Sequence, residues 1–317
     1  MTNAAFASAI RLDEDKFRDP DVTADGKQRA SVTFRRLETL WFNTGTLCNL
    51  TCTNCYIESS PTNDALVYLS AAEVAAYLDE IAADRLDVRE IGFTGGEPFM
   101  NPDIIAMLSD SLERGFRVLV LSNAMRPMMK LAAPLLDLNR RFSDRLIIRV
   151  SLDHYTEALH ELERGARSWG PTVAGIEWLA QNGFTLHIAG RTCWRETEDS
   201  LRRGFASLFA ARGLPINAQD PVSLVLFPEM DADVDVPEIT VDCWGILGVD
   251  PDTLMCATSR MVIKRKGADH PVIAACTLVP FDPAFETGRR LSESRVSVKL
   301  NHPHCARFCV LGGASCG

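Results

Sequence analysis

Three thiols stand within eight residues, Cys48, Cys52 and Cys55, in the run Leu47-Cys48-Asn49-Leu50-Thr51-Cys52-Thr53-Asn54-Cys55-Tyr56. Three thiolates on one loop can hold three irons of a cubane cluster and leave the fourth iron without a protein ligand. An open metal position suits a reactive site, whereas a structural site is closed by four ligands. The competing reading is zinc, which needs a fourth ligand nearby. Asn49, Thr51 and Tyr56 are not ordinary zinc ligands. A second group of thiols, Cys256, Cys276, Cys305, Cys309 and Cys316, lies near the end of the chain. Four of these five, or of six with Cys243, would complete one further site but not two. Here too the alternative is structural zinc, with His302 or His304 as a ligand.

The elements that position these thiols follow an alternating pattern. Leu37–Asn43, Glu90–Thr94, Phe116–Leu121, Leu146–Leu152, Phe184–Ala189 and Val222–Phe227 read as strands. Between them, Ala71–Ala83, Pro102–Arg114, Met128–Asn139, Thr172–Gln181 and Thr197–Ala211 read as helices. Ser70 and Glu73 form a capping box for the first of these, and Gly115 closes the second. Six strands separated by helices imply parallel pairing with right-handed crossovers, in a doubly wound sheet or a partial β/α barrel. No glycine fingerprint for a dinucleotide or P-loop follows the first strand. The pattern breaks after Pro228, where Asp231, Asp233 and Asp235 form an acidic linker. Beyond it, Met261–Arg265 and Pro271–Leu278 read as a hairpin turning at Lys266-Gly267-Ala268-Asp269. The expected organisation is an N-terminal arm over 1–35, a barrel over 36–228 and a small cysteine-rich α+β module over 229–317.

Composition narrows the function. The chain has 317 residues, 46% of them hydrophobic and 24% charged, the balance of a globular protein. Its 33 basic and 42 acidic residues leave a formal charge of −9, the wrong sign for a phosphate backbone. No run approaches the roughly 18 apolar residues of a membrane span. The apolar patch from Ala4 to Ile10 has no basic residue before it, so no secretory signal is expected. The expectation is a cytoplasmic protein with no nucleic-acid or membrane partner. In a reducing compartment, ten cysteines point to metal binding or chemistry rather than disulfides.

The triad resembles the radical S-adenosylmethionine (radical SAM) superfamily, whose signature is Cys-x3-Cys-x2-Cys followed by an aromatic residue, here Tyr56. Three more segments carry the resemblance. Thr94-Gly95-Gly96-Glu97-Pro98 ends the second strand where that family has Gly-Gly-Glu-Pro. Val150-Ser151-Leu152-Asp153 closes the fourth strand, and Arg164-Gly165 follows thirteen residues after Ser151. His154 departs from the family's usual glycine. The resemblance implies a partial (β/α)6 TIM-type barrel with its site at the C-terminal strand ends. It implies a 4Fe–4S cluster on Cys48, Cys52 and Cys55, with S-adenosylmethionine (SAM) chelating the fourth iron. Glu97 and backbone at Gly95 and Gly96 would receive the SAM ammonium, the glycines allowing close approach. Ser151 and Arg164 would bind its carboxylate, with Asn123 as a further contact. An electron from a flavodoxin- or ferredoxin-type donor would cleave SAM to a 5′-deoxyadenosyl radical that abstracts hydrogen from substrate. A bulky residue at Gly96 is expected to abolish SAM cleavage while sparing the cluster.

The last 80 or so residues resemble the auxiliary-cluster module, twitch or SPASM, of many radical SAM oxidoreductases. The resemblance implies a second 4Fe–4S cluster on four of Cys256, Cys276, Cys305, Cys309 and Cys316. Two spacings depart from the family: eight residues separate Gly267 from Cys276, and the terminal cysteines stand at x3 then x6. Arg191 is a candidate to neutralise a carboxylate of substrate or SAM. Cys193 is either a hydrogen-atom donor at the barrel mouth or a buried inert thiol. The leading expectation is an oxidation of a small molecule. Peptide-modifying relatives often begin with a peptide-binding module longer than the 47 residues before Cys48. The alternative is a maturase acting on a peptide that a separate partner delivers. A non-catalytic iron–sulfur carrier or zinc scaffold is the reading from another class.

Overall fold

The computed structural model describes residues 10–313. Cys316 and most of the apolar N-terminal patch lie outside the described residues. The chain forms strands β1 (Ser31–Val32), β2 (Thr39–Asn43), β3 (Glu90–Thr94), β4 (Arg117–Ser122), β5 (Leu146–Ser151), β6 (Thr185–Arg191) and β7 (Leu224–Phe227). Beyond these come β8 (Ser259–Ile263), β9 (Val272–Ala274), β10 (Glu286–Gly288) and β11 (Val298–Lys299). Strands β2 to β7 pair in chain order and in parallel. Helices α1 (Ala71–Ala83), α2 (Ile104–Glu113), α3 (Arg126–Lys130), α4 (Ala132–Phe142), α5 (Glu157–Arg164), α6 (Trp169–Gln181) and α7 (Glu198–Ala211) make the crossovers. This is the partial (β/α)6 barrel that the family resemblance implies, one of the two arrangements the alternation allows.

Successive residues of a strand point to opposite faces, and here the two faces feed two cores. Leu40, Phe42, Val118, Val120, Ile148 and Val150 pack outward against the helices. Trp41, Leu119 and Ile147 point inward and meet C-terminal residues such as Met230, Met261 and Phe308. The C-terminal segment therefore fills the concave side of the open barrel.

Two elements differ from expectation. The single helix over 128–139 is two, α3 and α4, divided at Leu131. Pro134 stands in the first turn of α4, where its missing N–H is not needed. Helix α5 was not expected, because its sequence EALHELER carries too few apolar residues for a helical stripe.

The hairpin forms as expected: β9 returns antiparallel to β8. It does not build a separate sheet, however. Strand β8 pairs in parallel with β2, Thr39 to Phe42 opposite Ser259 to Val262, so one nine-stranded sheet runs from β10 to β7. This corrects the picture of a detached module. The first barrel strand would otherwise expose an unpaired edge, and β8 covers it. The arm belongs to the same end of the molecule. Strand β1 pairs with β11, and the buried Arg29 donates to Glu238 from Nη2 at 2.5 Å. After residue 229 come the short helices α8 (Cys243–Leu247) and α9 (Met255–Thr258) and a π-helical turn, Cys305–Val310.

Candidate functional site

The loop after β2 carries the triad, and polar contacts hold it from three sides. From the β3 end, Gly96 N donates to Gly45 O at 2.7 Å and Glu97 N to Leu47 O at 3.1 Å. A Cβ on Gly96 would lie 2.1 Å from the Leu47 carbonyl oxygen, and one on Gly95, whose φ is +138°, 2.6 Å from that of Gly45. The glycines are thus required by the loop that bears the cysteines. Both glycines also line the cavity at the strand ends. From the β4 end, Asn123 Nδ2 donates to Asn49 Oδ1 at 2.9 Å. From α5, Glu163 accepts from Asn54 N at 3.0 Å and Asn54 Nδ2 at 3.1 Å.

Inside this frame the sulfurs receive backbone donors: Leu50 N to Cys48 Sγ and Ser59 N to Cys55 Sγ, both at 3.4 Å. Burial pushes the Cys48 thiol up to about 12 and the Cys52 thiol up to about 11. Buried thiols of this kind become thiolates when a cation takes them. All three line one cavity at the C-terminal strand ends, enclosing about 1020 Å³ and partly open to solvent. Tyr56, Gly95, Gly96, Asn123, Ser151, Asp153, Arg164 and Arg191 line it as well, and Phe227, Met230, Leu278 and Phe308 make an apolar wall. Three sulfurs beside polar and cationic side chains fit an iron–sulfur cluster with an anionic, hydrogen-bonding ligand. Among the described residues no three His, Cys, Asp or Glu side chains converge as they would on a single bound ion.

Several expected roles change. Glu97 is absent from the cavity wall and fully buried. Its carboxylate accepts from Ser122 Oγ (2.9 Å), Asn123 N (2.9 Å) and Phe99 N (3.2 Å). Burial pushes it up to about 7. Glu97 therefore ties the ends of β3 and β4 together. Arg164 does line the cavity, but its Nε and Nη2 are engaged by the Asp153 carboxylate. Arg191 is not available as an unpaired cation either. Its Nη2 donates to Glu229 at 2.9 Å, and its Nη1 to Glu163 and to Asn54 O, both at 3.3 Å.

Gly190 and Arg191 line the cavity and Cys193 does not; burial pushes its thiol up to about 12. The half-buried residue thus keeps its S–H beside the barrel mouth without reaching the cavity wall. His154, where the family has glycine, bonds Glu196 Oε1 and Thr156 Oγ1, both at 2.8 Å. The histidine thereby braces the start of α5. Glu163, Asp153, Asn54 and Glu229 were missed as a cluster. Their signal was the acidic residue directly before Arg164, on a helix whose polarity hid it.

The second group of thiols also shares a cavity. Cys256, Cys276, Cys305 and Cys309 line one narrow pocket. Its other walls are the apolar Leu254, Met255, Leu278, Phe285, Val298 and Leu300. Leu278 borders both cavities. Burial pushes Cys256 up to about 11 and Cys305 well above the usual thiol range. Four thiols in an apolar pocket fit a fully ligated cluster. Cys243 is elsewhere, accepting from Thr240 N at 3.4 Å. The His302 and His304 rings lie tilted against each other, centroids 4.7 Å apart, and do not line the cavity. Burial pushes His304 down to about 3.

A parallel partial barrel with a cysteine triad and a Gly-Gly loop at its C-terminal strand ends defines a class of SAM-cleaving enzymes. Residues 42–203 match the Radical SAM superfamily, and the chain belongs to it. A 4Fe–4S cluster and SAM are the cofactors that membership implies. Over 143 residues the chain is 30% identical to the antilisterial bacteriocin subtilosin biosynthesis protein AlbA of Bacillus subtilis (strain 168), covering 45% of this chain and 30% of that protein. Over 137 residues it is 29% identical to the mycofactocin maturase MftC of Mycobacterium ulcerans (strain Agy99), covering 43% and 35%. The alignments thus span about a third of these relatives' length. Among solved structures, Streptococcus suis SuiB bound to S-adenosylmethionine has TM-score 0.58 at 13% identity, covering 80% of this chain and 63% of that one. The protein anSMEcpe with bound AdoMet has TM-score 0.56 at 12% identity, covering 81% and 77%. At such identities the likeness is one of fold. Among the described residues no helix is long and apolar enough to cross a membrane.

Proposed function

We propose that this radical SAM enzyme is a maturase that modifies a peptide, with a second 4Fe–4S cluster beside the SAM-binding one. The observation that carries the two-cluster part is that four C-terminal cysteines line a pocket that shares Leu278 with the triad cavity. The peptide part is supported by the curated relatives, which by name serve bacteriocin biosynthesis and mycofactocin maturation. It replaces the expected small-molecule oxidation, since those names favour the peptide reading.

Cys48, Cys52 and Cys55 would hold the first cluster, and Cys256, Cys276, Cys305 and Cys309 the second. The first cluster supplies, with SAM bound, one-electron chemistry that ends in hydrogen-atom abstraction. The chain's own work is to orient and to exclude water. Ser151 and the Arg164–Asp153 pair offer donors and an acceptor to the polar end of SAM. Phe227, Met230, Leu278 and Phe308 supply the dry face on which a substrate side chain would rest. The reading includes a reduced flavodoxin- or ferredoxin-type electron donor and a cytoplasmic setting.

The test co-expresses the full chain with short peptides encoded beside its gene and reads them by mass spectrometry. Loss of hydrogens from one peptide, dependent on Cys48, is the expected result. Unchanged peptides, together with 5′-deoxyadenosine released only when a small-metabolite extract is added, would return the substrate to the small-molecule class.

A further inference from the structure

Arg260 lies at the second residue of β8, with none of its surface exposed. The buried Arg29 meets Glu238, the buried Arg191 meets Glu163 and Glu229, and the part-buried Arg164 meets Asp153. Arg260 forms no ion pair with a carboxylate among the described residues. Its Nε donates to Ser294 O at 2.8 Å, its Nη1 to Cys256 O and Ser259 O at 2.7 Å, and its Nη2 to Val296 O at 2.9 Å. Its guanidinium also lies 4.6 Å from the centroid of the Phe34 ring. Carbonyls and an aromatic face satisfy the N–H groups but do not neutralise the charge. A buried cation without a counter-ion is costly, so an anion should complete its surroundings. Its contact with the Cys256 carbonyl ties it to the backbone that carries the second group of thiols.

We propose that Arg260 is the built-in counter-charge of the second cluster, a positioning residue that raises the cluster's reduction potential. The inference rests on the proposed second cluster at Cys256, Cys276, Cys305 and Cys309. A fixed positive charge in a low-dielectric pocket stabilises the more negative, reduced state. Charge near a cluster is one of the levers that set its potential. Placed at the wall shared with the triad cavity, a cluster poised this way is suited to take an electron from an oxidised substrate. Arg260 also holds α9 and residues 294–296 together through its carbonyl contacts, and the test must separate the charge from that bracing.

The experiment uses the full-length Cys48/Cys52/Cys55→Ala chain, in which any remaining cluster is the second one. It is reconstituted anaerobically with iron and sulfide, assayed for metal, and poised with dithionite and mediators while its EPR signal is followed. About four irons per chain are expected. Arg260→Gln should lower the reduced-to-oxidised ratio at fixed potential by tenfold or more, about 59 mV for one electron. Arg260→Lys, which keeps the charge and loses the planar fork, should stay near the parent. If both variants match the parent, or if Lys falls as far as Gln, the assignment of Arg260 is overturned and the second cluster stands. If Arg260→Gln does not fold, Arg260→Lys decides alone, and a tenfold displacement there overturns the charge argument. A parent chain with zinc or with no iron removes the second cluster and this inference together.

Discussion

Cys48, Cys52 and Cys55 sit on a loop that three strand and helix ends hold by polar contacts, in a cavity partly open to solvent. Cys256, Cys276, Cys305 and Cys309 line a smaller pocket whose remaining walls are apolar. The first site has polar side chains on its wall and too few thiols to close a four-iron cluster. The second has four thiols and no polar wall besides them. The difference assigns the work. Among the described residues the first wall offers polar groups to a charged cosubstrate, whereas the second cavity is lined by thiols and apolar side chains.

The largest expected effect separates the two sites outright. The triple variant Cys48/Cys52/Cys55→Ala should lose SAM cleavage completely, while its iron falls from about eight to about four per chain. Colorimetric iron and sulfide assays beside chromatographic 5′-deoxyadenosine would show it. A variant that kept all its iron would mean the sites are not independent.

Next is Gly96→Val. Its Cβ would meet the Leu47 carbonyl at 2.1 Å, and a clash with backbone is not relieved by a rotamer change. The loop holding Cys48 must move. The first site should therefore lose iron as well as SAM cleavage, with the second unaffected. Survival of the first cluster with only SAM binding lost would favour the expectation drawn from sequence, that the glycines serve the ligand directly.

Glu97 gives a smaller effect with a pH signature. Burial raises its carboxyl from 4.5 to about 7 in the folded chain. Its stabilising contribution is fully present below about pH 4.5 and is lost as pH rises through about 7. The shift corresponds to about 3 kcal/mol. Glu97→Gln, uncharged throughout, should remove this component. Urea midpoints of the two proteins between pH 4 and 8 should diverge with the wild type losing stability faster. Parallel curves would mean that the three donors around Glu97 hold it ionised at its ordinary value.

Much of this comparison could be read from residue order, and the reason is locality. The capping box forms in both directions, Glu73 N to Ser70 Oγ at 3.2 Å and Ser70 N to Glu73 Oε2 at 2.9 Å. The six parallel strands fall within a residue or two of their periodic pattern. Gly95, Gly96, Asn123 and Ser151 share one cavity because they lie at the ends of neighbouring strands. What stayed hidden depends on contacts between distant segments. The pairing of β8 with β2 joins residues more than 200 positions apart, and no periodicity encodes that edge. The carboxylates on Arg191 come from α5 and from the segment after β7, so a sequence reading sees an available cation. The three donors that the Glu97 carboxylate accepts from come from β4, the residue after it and the turn after β3, which its own motif does not reveal.

Those distant contacts supply the most discriminating of the smaller tests. Glu163 braces the first site and has no counterpart at the second. Its carboxylate accepts twice from Asn54, between Cys52 and Cys55, and its Oε1 also meets Arg191 Nη1 at 3.3 Å. Removing one partner of a buried ion pair costs about 3–5 kcal/mol when the other is stranded, but Arg191 keeps Glu229 at 2.9 Å. The loss in Glu163→Ala should therefore be nearer that of the hydrogen bonds themselves, about 1–3 kcal/mol. Glu163→Gln keeps one carbonyl acceptor for Asn54 and should cost less. If the brace acts on the cluster loop, both variants release iron from the first site faster under a chelator, Ala more than Gln. Iron loss from the second site should be unchanged. Equal loosening of both sites would show that Glu163 supports the fold in general, and the contrast between a braced open site and a self-contained closed one would fail at this point.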